Sequence, residues 1–437
     1  MTTTPSLDGA PPIPRQRPTL PAGIAMAGAA ITFTSLYLAA GALTPLLVLY
    51  REQWDFPASL LTLAFAAYAV GFLVALLTAG SLSDHIGRRP VLIGALVVQL
   101  VSNLLFLAAS DVGWVIAGRI VQGLATGAGT TAFTAAIVEV APANRKRLAT
   151  ILGSVGLTGG LGAGALLTGL AIQLTAGANT IVFVVLTIMT ILGMIVVALS
   201  PETVQRPGNG QRPGKGQRPG NGQRPGNGQG SEGVLRSLIP RVAVPPAARA
   251  EFAAAAPVIA AVWMLAGLSG GLAPSMVRSV FQLDSGLLNG VSGFIAPAVS
   301  AVVGLAFARI DPRRAMTIGT YASIIGAAGI IGGVFAGSLA VMFVGQAIAG
   351  IGFGAAFTAA LRLIFPLAAA HQRAAVVAGI YVVSYVAFGV PIVIAGWLTD
   401  VIGLVPSVTG YTALTILLAL VSLVAQVRVA RRAFRAG

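Results

Sequence analysis

Residues 80–89 read Gly80-Ser81-Leu82-Ser83-Asp84-His85-Ile86-Gly87-Arg88-Arg89. This charged segment lies between two apolar stretches, at roughly 57–80 and 90–110, and each stretch is long enough to cross a bilayer. Several charged or titratable groups in a short loop between two such stretches are typical of a turn at a membrane surface. The segment therefore predicts a membrane protein with several crossings.

The composition of the whole chain supports the same class of protein. Of 437 residues, 56% are hydrophobic and 9% are charged, whereas soluble domains have about 25% charged residues. The mean hydropathy is +0.89. At about 20 apolar residues per crossing, the chain has room for about a dozen crossings. Cysteine is absent, which excludes disulfides, thiol nucleophiles and cysteine metal sites.

Apolar stretches with few charges recur in two sets of six. The sequence therefore predicts an all-α membrane protein with twelve transmembrane helices in two six-helix, pseudo-symmetric halves. The first set lies at roughly 24–50, 57–80, 90–110, 112–138, 148–173 and 177–200. The second set lies at roughly 252–277, 285–308, 315–336, 338–364, 374–398 and 405–427.

The polar segments divide the chain further. We expect a disordered cytoplasmic tail at 1–23, a first half at 24–200, a linker at 201–249, a second half at 250–427 and a basic tail at 428–437. The linker repeats Gln-Arg-Pro-Gly-Asn/Lys-Gly four times from Gln205 to Gly228. With no apolar side chain to bury, it predicts a flexible tether. A lipid or partner contact through its arginines stays open as the alternative.

The basic residues are distributed unevenly between the two predicted sides of the membrane. The positive-inside rule places both termini in the cytoplasm, and it explains the net charge of +15 without a nucleic-acid partner. The side without the termini has five acids and two bases: Glu52, Asp55, Asp111, Asp284, Asp400, Arg51 and Arg278.

The loop at 80–89 resembles the signature G-x-L-x-D-x-x-G-R-[KR] that joins the second and third helices in the major facilitator superfamily. It matches at Gly80, Leu82, Asp84, Gly87, Arg88 and Arg89. The resemblance implies a secondary transporter without cofactor or enzymatic activity, whose two halves rock around a central cavity that binds a small-molecule substrate. It also implies a monomer in a bacterial inner membrane, with the proton as the coupling ion.

The two halves are related in sequence, as expected for a transporter built from repeats. At a single offset of 227 residues, a loop acid and several helix residues align. The aligned pairs are Asp84 with Asp311, Gly118 with Gly345, Gly123 with Gly350, Gly127 with Gly354, Ala128 with Ala355, Thr131 with Thr358 and Ala132 with Ala359.

Arg119 is the one charged residue well inside an apolar stretch. Because an arginine at mid-membrane costs about 2.5–3.5 kcal/mol, it should face the interior and have a partner. With Gln122 and Gly123 it forms R-x-x-Q-G, which resembles the fourth-helix motif of drug:proton antiporters. The resemblance implies a role in proton movement and substrate handling. A structural role, in which Arg119 only bonds helix carbonyls, is the alternative.

Asp84 and Glu139 are candidates for an inner gate. The resemblance places Asp84 across from the positive N-terminal end of the eleventh helix, a favourable pairing. Glu139 is expected near the inner end of the fourth helix, where it could pair with Arg88 or Arg89. The loop of Asp311 keeps an acid and bases but loses the glycines. Ordinary interfacial charges that set topology remain the alternative for both acids.

The fifth span is rich in glycine, with Gly156, Gly160 and Gly164 at helical spacing. It resembles the antiporter motif G-x-x-x-G-P-x-x-G-G, but Leu161 stands at the proline position and Ala165 at the last glycine position. Tight packing against the eighth helix is the alternative to a role in exchange.

The resemblance implies that the first, fourth, seventh and tenth helices line the cavity. None of these four helices has an acid at mid-membrane depth. The deep polar candidates are neutral, namely Tyr37, Gln122, Thr126, Trp263, Met264, Gln346 and Thr358, with Asn289 and Tyr381 on neighbouring helices. Such a cavity suits a neutral, amphiphilic or anionic solute. The resemblance to drug:proton antiporters implies proton-coupled efflux of such a solute. The alternatives are a proton-linked importer or facilitator of a sugar or other metabolite, and a non-transporting sensor or lipid-handling protein on the same fold.

Overall fold

The computed structural model describes residues 20–79, 87–202, 242–369 and 372–436, and these residues are mainly helical, with no strand among them. Six long helices form the first half: α1 (Ala22–Trp54), α2 (Ala58–Ala79), α3 (Arg88–Leu107), α4 (Val112–Glu139), α5 (Lys146–Leu174) and α6 (Ala178–Leu199). Six more form the second half: α7 (Arg249–Gly271), α8 (Gly286–Ala306), α9 (Pro312–Phe335), α10 (Leu339–Ile364), α11 (Arg373–Ile402) and α12 (Leu404–Ala436).

The lengths and surfaces of these helices are those of membrane spans. Within the described residues, 11 helices are long and apolar enough to cross a bilayer. The remaining long helix, α4, has 28 residues and includes Arg119 and Gln122, which lower its hydropathy. Large apolar side chains such as Val70 and Trp397 are exposed on the outside of the bundle. Helices satisfy their backbone internally, which lipid requires.

The predicted internal duplication is confirmed by where the helices begin. The offset of 227 residues relates Ala22 to Arg249, Val112 to Leu339 and Lys146 to Arg373, the first residues of α1 and α7, α4 and α10, and α5 and α11. The N-caps of α4 and α10, Asp111 and Ser338, obey the same offset, and both accept a backbone N–H. Each half therefore repeats one six-helix unit.

Two predicted boundaries differ from the structure. The span expected at 252–277 is divided at Leu272 into α7 and a short helix, Ala273–Ser279, with Pro274 in its first turn. Proline lacks the N–H that would continue the α7 ladder, and Gly270 and Gly271 weaken the helix just before it. At the other end of this half, α12 continues beyond 427 to Ala436.

Gly156, Gly160 and Gly164 of α5 pack against α1, not against the eighth helix that the alternative interpretation named. A Cβ on Gly160 would lie 2.7 Å from the carbonyl oxygen of Thr34. A Cβ on Gly164 would overlap the carbonyl oxygen of Leu38. On the opposite side of α5, Gly169 approaches α8. The 3.6-residue period places these two sets on different faces of one helix.

Candidate functional site: a cavity between the two halves

Eight helices from both halves enclose a central cavity of about 120 Å³. Its walls are mainly apolar, with Arg119 as the one charged side chain among the lining residues. The residues with polar or aromatic side chains that line it are Tyr37, Thr44, Phe65, Tyr68, Arg119, Thr158, Trp263, Ser269, Ser300, Phe353, Tyr385 and Phe388. An apolar cavity with a few polar groups is the usual form of a small-molecule site.

Arg119 is 2% exposed and forms hydrogen bonds with three elements. Its Nη1 donates to the carbonyl oxygen of Ala40 on α1 (3.2 Å) and to Oε1 of Gln122 on α4 (2.7 Å). Its Nη2 donates to the carbonyl oxygen of Phe65 on α2 (3.1 Å). The guanidinium carbon lies 4.6 Å from the centroid of the Tyr68 ring, a cation–π distance. Arg119 therefore bonds backbone carbonyls of α1 and α2, as the structural alternative predicted, and it also lines the cavity; its role in proton movement and substrate handling stays a prediction.

The charge of Arg119 has no counter-charge in the described part of the chain. Ion pairs there join other residues, and none involves Arg119. Nε of Arg119 is buried without a hydrogen-bond partner, and so is Nε2 of Gln122. A buried cation is normally paired, because an isolated charge in a low dielectric is costly. The cavity is therefore lined by a positive charge without a counter-charge among the described residues and with one unused donor, Nε of Arg119.

One wall of the cavity is aromatic and continuous from one half to the other. Trp263 of α7 lies 4.8 Å from Tyr385 of α11 and 5.3 Å from Phe353 of α10, as measured between ring centroids. Phe65 of α2 lies 5.0 Å from Phe388 of α11. Nε1 of Trp263 is buried without a hydrogen-bond partner. These rings provide stacking surface for a flat or apolar compound.

The remaining first-half candidates make hydrogen bonds and packing contacts, and among them Gln122 bonds Arg119 directly. Tyr37 lines the cavity, and its hydroxyl bonds Thr130 at 2.8 Å. Gln122 accepts from Arg119, while the hydroxyl of Thr126 donates to the Gln122 carbonyl oxygen at 2.8 Å. Gly123 has a packing role, since a Cβ there would lie 2.7 Å from the backbone nitrogen of Phe72 on α2.

Five second-half candidates do not line the cavity, namely Met264, Asn289, Gln346, Thr358 and Tyr381. Asn289 and Gln346 are buried, and Oδ1 of Asn289 and both polar side-chain atoms of Gln346 lack a hydrogen-bond partner. Tyr381 stacks on Tyr385 with ring centroids 6.2 Å apart, one layer away from the lining. Trp263 is the second-half candidate that reaches the cavity.

Sequence reasoning missed most of the aromatic wall, including Phe65, Tyr68, Phe353, Tyr385 and Phe388. The available signal was weak. These residues lie on helices that are apolar on nearly all faces, so hydrophobic periodicity does not reveal which face meets the cavity.

The predicted gating loop is described only from Gly87 onward, so Gly80, Leu82 and Asp84 lie outside the described residues. Arg88 pairs with Glu139 at 3.2 Å, as predicted. The backbone N–H groups of Arg88 and Arg89 donate to the Glu202 carboxylate at 3.1 and 3.2 Å, so Glu202 caps α3. Gly87 precedes the helix with φ 103°, a conformation that favours glycine.

Asp311, the second-half counterpart of Asp84, has a local role. Its Oδ1 accepts the backbone N–H of Arg314 at 3.0 Å, so it is the N-cap of its own helix, α9. The structure thus gives Asp311 a helix-capping contact within its own half.

Two repeated six-helix halves around a central cavity are the architecture of many membrane transport proteins. The sequence profile of the Major Facilitator Superfamily matches residues 29–336, and the chain belongs to that superfamily.

Curated relatives match only short parts of the chain. The multidrug resistance protein MdtL of Citrobacter koseri is 36% identical over 67 residues, which cover 15% of this chain and 17% of MdtL. Myo-inositol transporter 1 of Candida albicans is 34% identical over 95 residues, which cover 22% of this chain and 17% of that protein. The chain thus matches less than a fifth of the length of these relatives.

Solved structures share the fold over nearly the whole chain. A bacterial homologue of the human lysosomal transporter Spinster, in an inward-facing and unoccupied conformation, gives a TM-score of 0.69 at 13% identity and covers 93% of this chain and 97% of its own. The human organic anion transporter MFSD10 gives a TM-score of 0.58 at 16% identity, and the match covers 92% of this chain and 100% of that structure's chain. A peptide transporter gives a TM-score of 0.71 at 14% identity, and the match covers 94% of this chain and 95% of that structure's chain.

Proposed function

We propose that this protein exports a small amphiphilic compound, neutral or anionic, in exchange for protons. The observation that carries the proposal is the apolar, aromatic-walled cavity that contains the buried Arg119 without an acidic partner. A cationic compound would meet an uncompensated positive charge in a low-dielectric site, where like-charge repulsion is strong. A carboxylate or another anionic group would supply the missing counter-charge and accept a hydrogen bond from the unused Nε of Arg119.

The size of the cavity limits what the described conformation holds. It encloses about 120 Å³, whereas sites for drug-sized ligands have about 300–1,000 Å³. A compound of a few rings therefore requires the halves to separate during the cycle, as alternating access provides. The rings of Trp263 and Tyr385 would then stack on its apolar part.

Direction, coupling and location are parts of the same proposal. The arginine distribution supports cytoplasmic termini in an inner membrane. Export is supported by the partial match to multidrug resistance proteins. For coupling, Glu139 is a carboxylate near the end of the bundle where the termini lie, and Asp84 belongs to the adjacent loop. Arg119 cannot itself release a proton at ordinary pH.

Growth of an overexpressing strain on a panel of toxic compounds tests the proposal. The panel contains matched neutral, anionic and cationic amphiphiles. We expect protection against neutral and anionic members, and we expect Arg119→Ala to abolish it at equal expression. Protection against cations alone would overturn the proposed substrate class.

A proton-linked importer of a small polar metabolite is the second candidate, and the partial match to a myo-inositol transporter favours it. Such a substrate needs many hydrogen-bonding partners, but the cavity wall is mainly apolar. Uptake of radiolabelled inositol and sugars into membrane vesicles distinguishes the two. A non-transporting sensor would move none of these compounds in either direction.

A further inference from the structure

The polar contacts that join the two halves are grouped at one end of the bundle. We call this the distal end; Trp54 and Ala58 lie there, and Ala22 and Arg428 lie at the opposite, terminal end. Within the described ranges, hydrogen bonds and ion pairs between the halves occur at the distal end, and those at the terminal end stay inside one half. The described conformation is therefore closed at the distal end.

Asp400, at the distal end of α11, holds the first turn of α2. Its Oδ1 accepts the backbone N–H of Ala58 at 2.8 Å, and its Oδ2 accepts that of Ser59 at 3.0 Å. These are two of the four N–H groups that a helix start leaves without an intrahelical partner. The contact also places a negative charge at the positive end of the α2 dipole. An acid of the second half thus caps a helix of the first half.

The contact recurs on the other side of the bundle with a different side chain. Gln173, at the distal end of α5, accepts the Ser285 hydroxyl at 3.0 Å and the backbone N–H of Leu287 at 3.5 Å, at the start of α8. The offset of 227 residues relates Gln173 to Asp400 and Ala58 to Ser285. The internal duplication therefore produces two equivalent contacts, one charged and one neutral.

Glycines at equivalent positions bring both helix pairs together. A Cβ on Gly169 of α5 would lie 2.5 Å from the Gly286 carbonyl oxygen of α8, and a Cβ on Gly396 of α11 would overlap the Thr62 side chain of α2. Gly169 and Gly396 also obey the 227-residue offset. Each polar contact lies four residues beyond its glycine, one helical turn further toward the distal end.

We propose that Asp400 and Gln173 are the paired latches of the distal gate, with Asp400 the stronger of the two. Hydrogen bonds to a charged acceptor are about twice as strong as neutral ones, and Asp400 makes two of them to backbone donors while Gln173 makes one short and one long contact. Opening the distal end separates α2 from α11 and α5 from α8, so both latches must break. The seam held by Asp400 therefore contributes more to the closed state.

Thiol labelling tests the latches directly, because the chain contains no cysteine that would give a background signal. Ser269 is a suitable reporter: it lines the cavity, is 2% exposed, and its hydroxyl has no hydrogen-bond partner to lose. In a Ser269→Cys background, a membrane-impermeant maleimide is applied from the distal side. The inference rests on the alternating-access part of the proposed function, but labelling needs neither substrate nor gradient, so its outcome is separate from that of the transport assays.

The matched control is Asp111, which caps α4 on the same distal side through Gly113 and Trp114 of its own half. We expect distal labelling to rise in the order parent, Asp400→Asn, Asp400→Ala, by about threefold or more for the alanine variant, with a smaller rise for Gln173→Ala. Asp111→Ala should leave labelling at the parent level. Asp400→Asn keeps the shape of the side chain, so it covers the case in which the alanine variant fails to fold.

A reciprocal reporter completes the test. Labelling of Thr158→Cys, which lines the cavity on α5, is followed from the terminal side and should fall in Asp400→Ala as the population shifts. Distal labelling of Asp400→Ala and Asp400→Asn at the parent level would overturn the latch role, as would an equal rise in Asp111→Ala.

Discussion

The Arg119 guanidinium carbon stands 4.6 Å from the centroid of the Tyr68 ring, while its two terminal nitrogens bond the carbonyl oxygens of Ala40 and Phe65. One buried cation thereby links α4 to α1 and α2 at the wall of the cavity. This arrangement explains how a charge persists among apolar spans: an aromatic face and two carbonyl dipoles replace its hydration. The charge itself has no acidic partner among the described residues, so it is available to an anionic substrate.

Arg119→Ala should lower transport about tenfold or more, because a hydrogen bond to a charged group contributes about 1.5–3 kcal/mol. Arg119→Lys should retain at most part of the parent's transport rate, since lysine lacks the forked donor geometry of arginine. Initial rates of solute flux at equal protein amounts provide the measurement. The control is Arg362→Ala, because Arg362 also bonds two carbonyl oxygens, those of Phe307 and Ile310, but away from the cavity. An equal loss of flux in Arg119→Ala and Arg362→Ala would indicate that Arg119 has only a structural role.

The aromatic wall should set the apparent affinity. Trp263→Ala removes a ring that packs on Phe353 and Tyr385, and each aromatic pairing contributes about 0.5–1.5 kcal/mol. We expect a KM increase of about twofold to thirteenfold for an aromatic substrate that loses one such pairing. Trp397 is exposed on the outside of the bundle, so Trp397→Ala should leave the KM unchanged. A Trp263→Ala variant with the KM of the parent would show that substrates do not contact this wall.

The ion pair of Arg88 and Glu139 should contribute little to stability. Both side chains are partly exposed, and such pairs contribute about 0–1 kcal/mol. A double-mutant cycle with Arg88→Gln and Glu139→Gln, followed by thermal unfolding in detergent, should give a coupling energy in that range. A coupling well above it would indicate a buried gate contact.

Glycine substitutions distinguish packing contacts from open positions. A Cβ on Gly164 would overlap the Leu38 backbone of α1, whereas a Cβ on Gly94 would meet nothing within 4 Å. Gly164→Ala should therefore lower the unfolding temperature. Gly94→Ala should leave it unchanged or raise it, because alanine is favoured over glycine by about 0.5–1 kcal/mol inside a helix. Matching unfolding temperatures for the two variants would contradict the close approach of α5 and α1.

The repeat segment from Gln205 to Gly228 lies outside the described residues, and its dispensability stays a sequence prediction. Removing two of its hexapeptides should preserve flux, since a twofold change in loop length alters the closure free energy by only about 0.6 kcal/mol. Loss of flux in this shortened protein, with normal expression, would indicate a specific contact by the segment.

The sequence predicted the helix number, the duplication and the burial of Arg119, because apolar length and a lone interior charge are local signals. It could not identify Ala40 and Phe65 as the partners of Arg119, since backbone carbonyls are chemically alike and only packing selects among them. For Gly160 it offered packing against the eighth helix as one of two alternatives, and the structure shows packing against α1 instead. Helices that are apolar on nearly all faces carry no signal for their rotation, so the aromatic wall emerged only from the structure.

Solute flux in proteoliposomes, with and without an imposed pH gradient, tests the proposed transport most directly. The probe is an anionic amphiphile to which overexpression gives resistance. We predict gradient-driven flux in the parent, near-background flux in Arg119→Ala, and loss of gradient dependence in an Asp84→Asn, Glu139→Gln double variant. Flux that ignores the gradient in the parent would indicate a facilitator, and full gradient-driven flux in Arg119→Ala would contradict the central role of the Arg119 cavity.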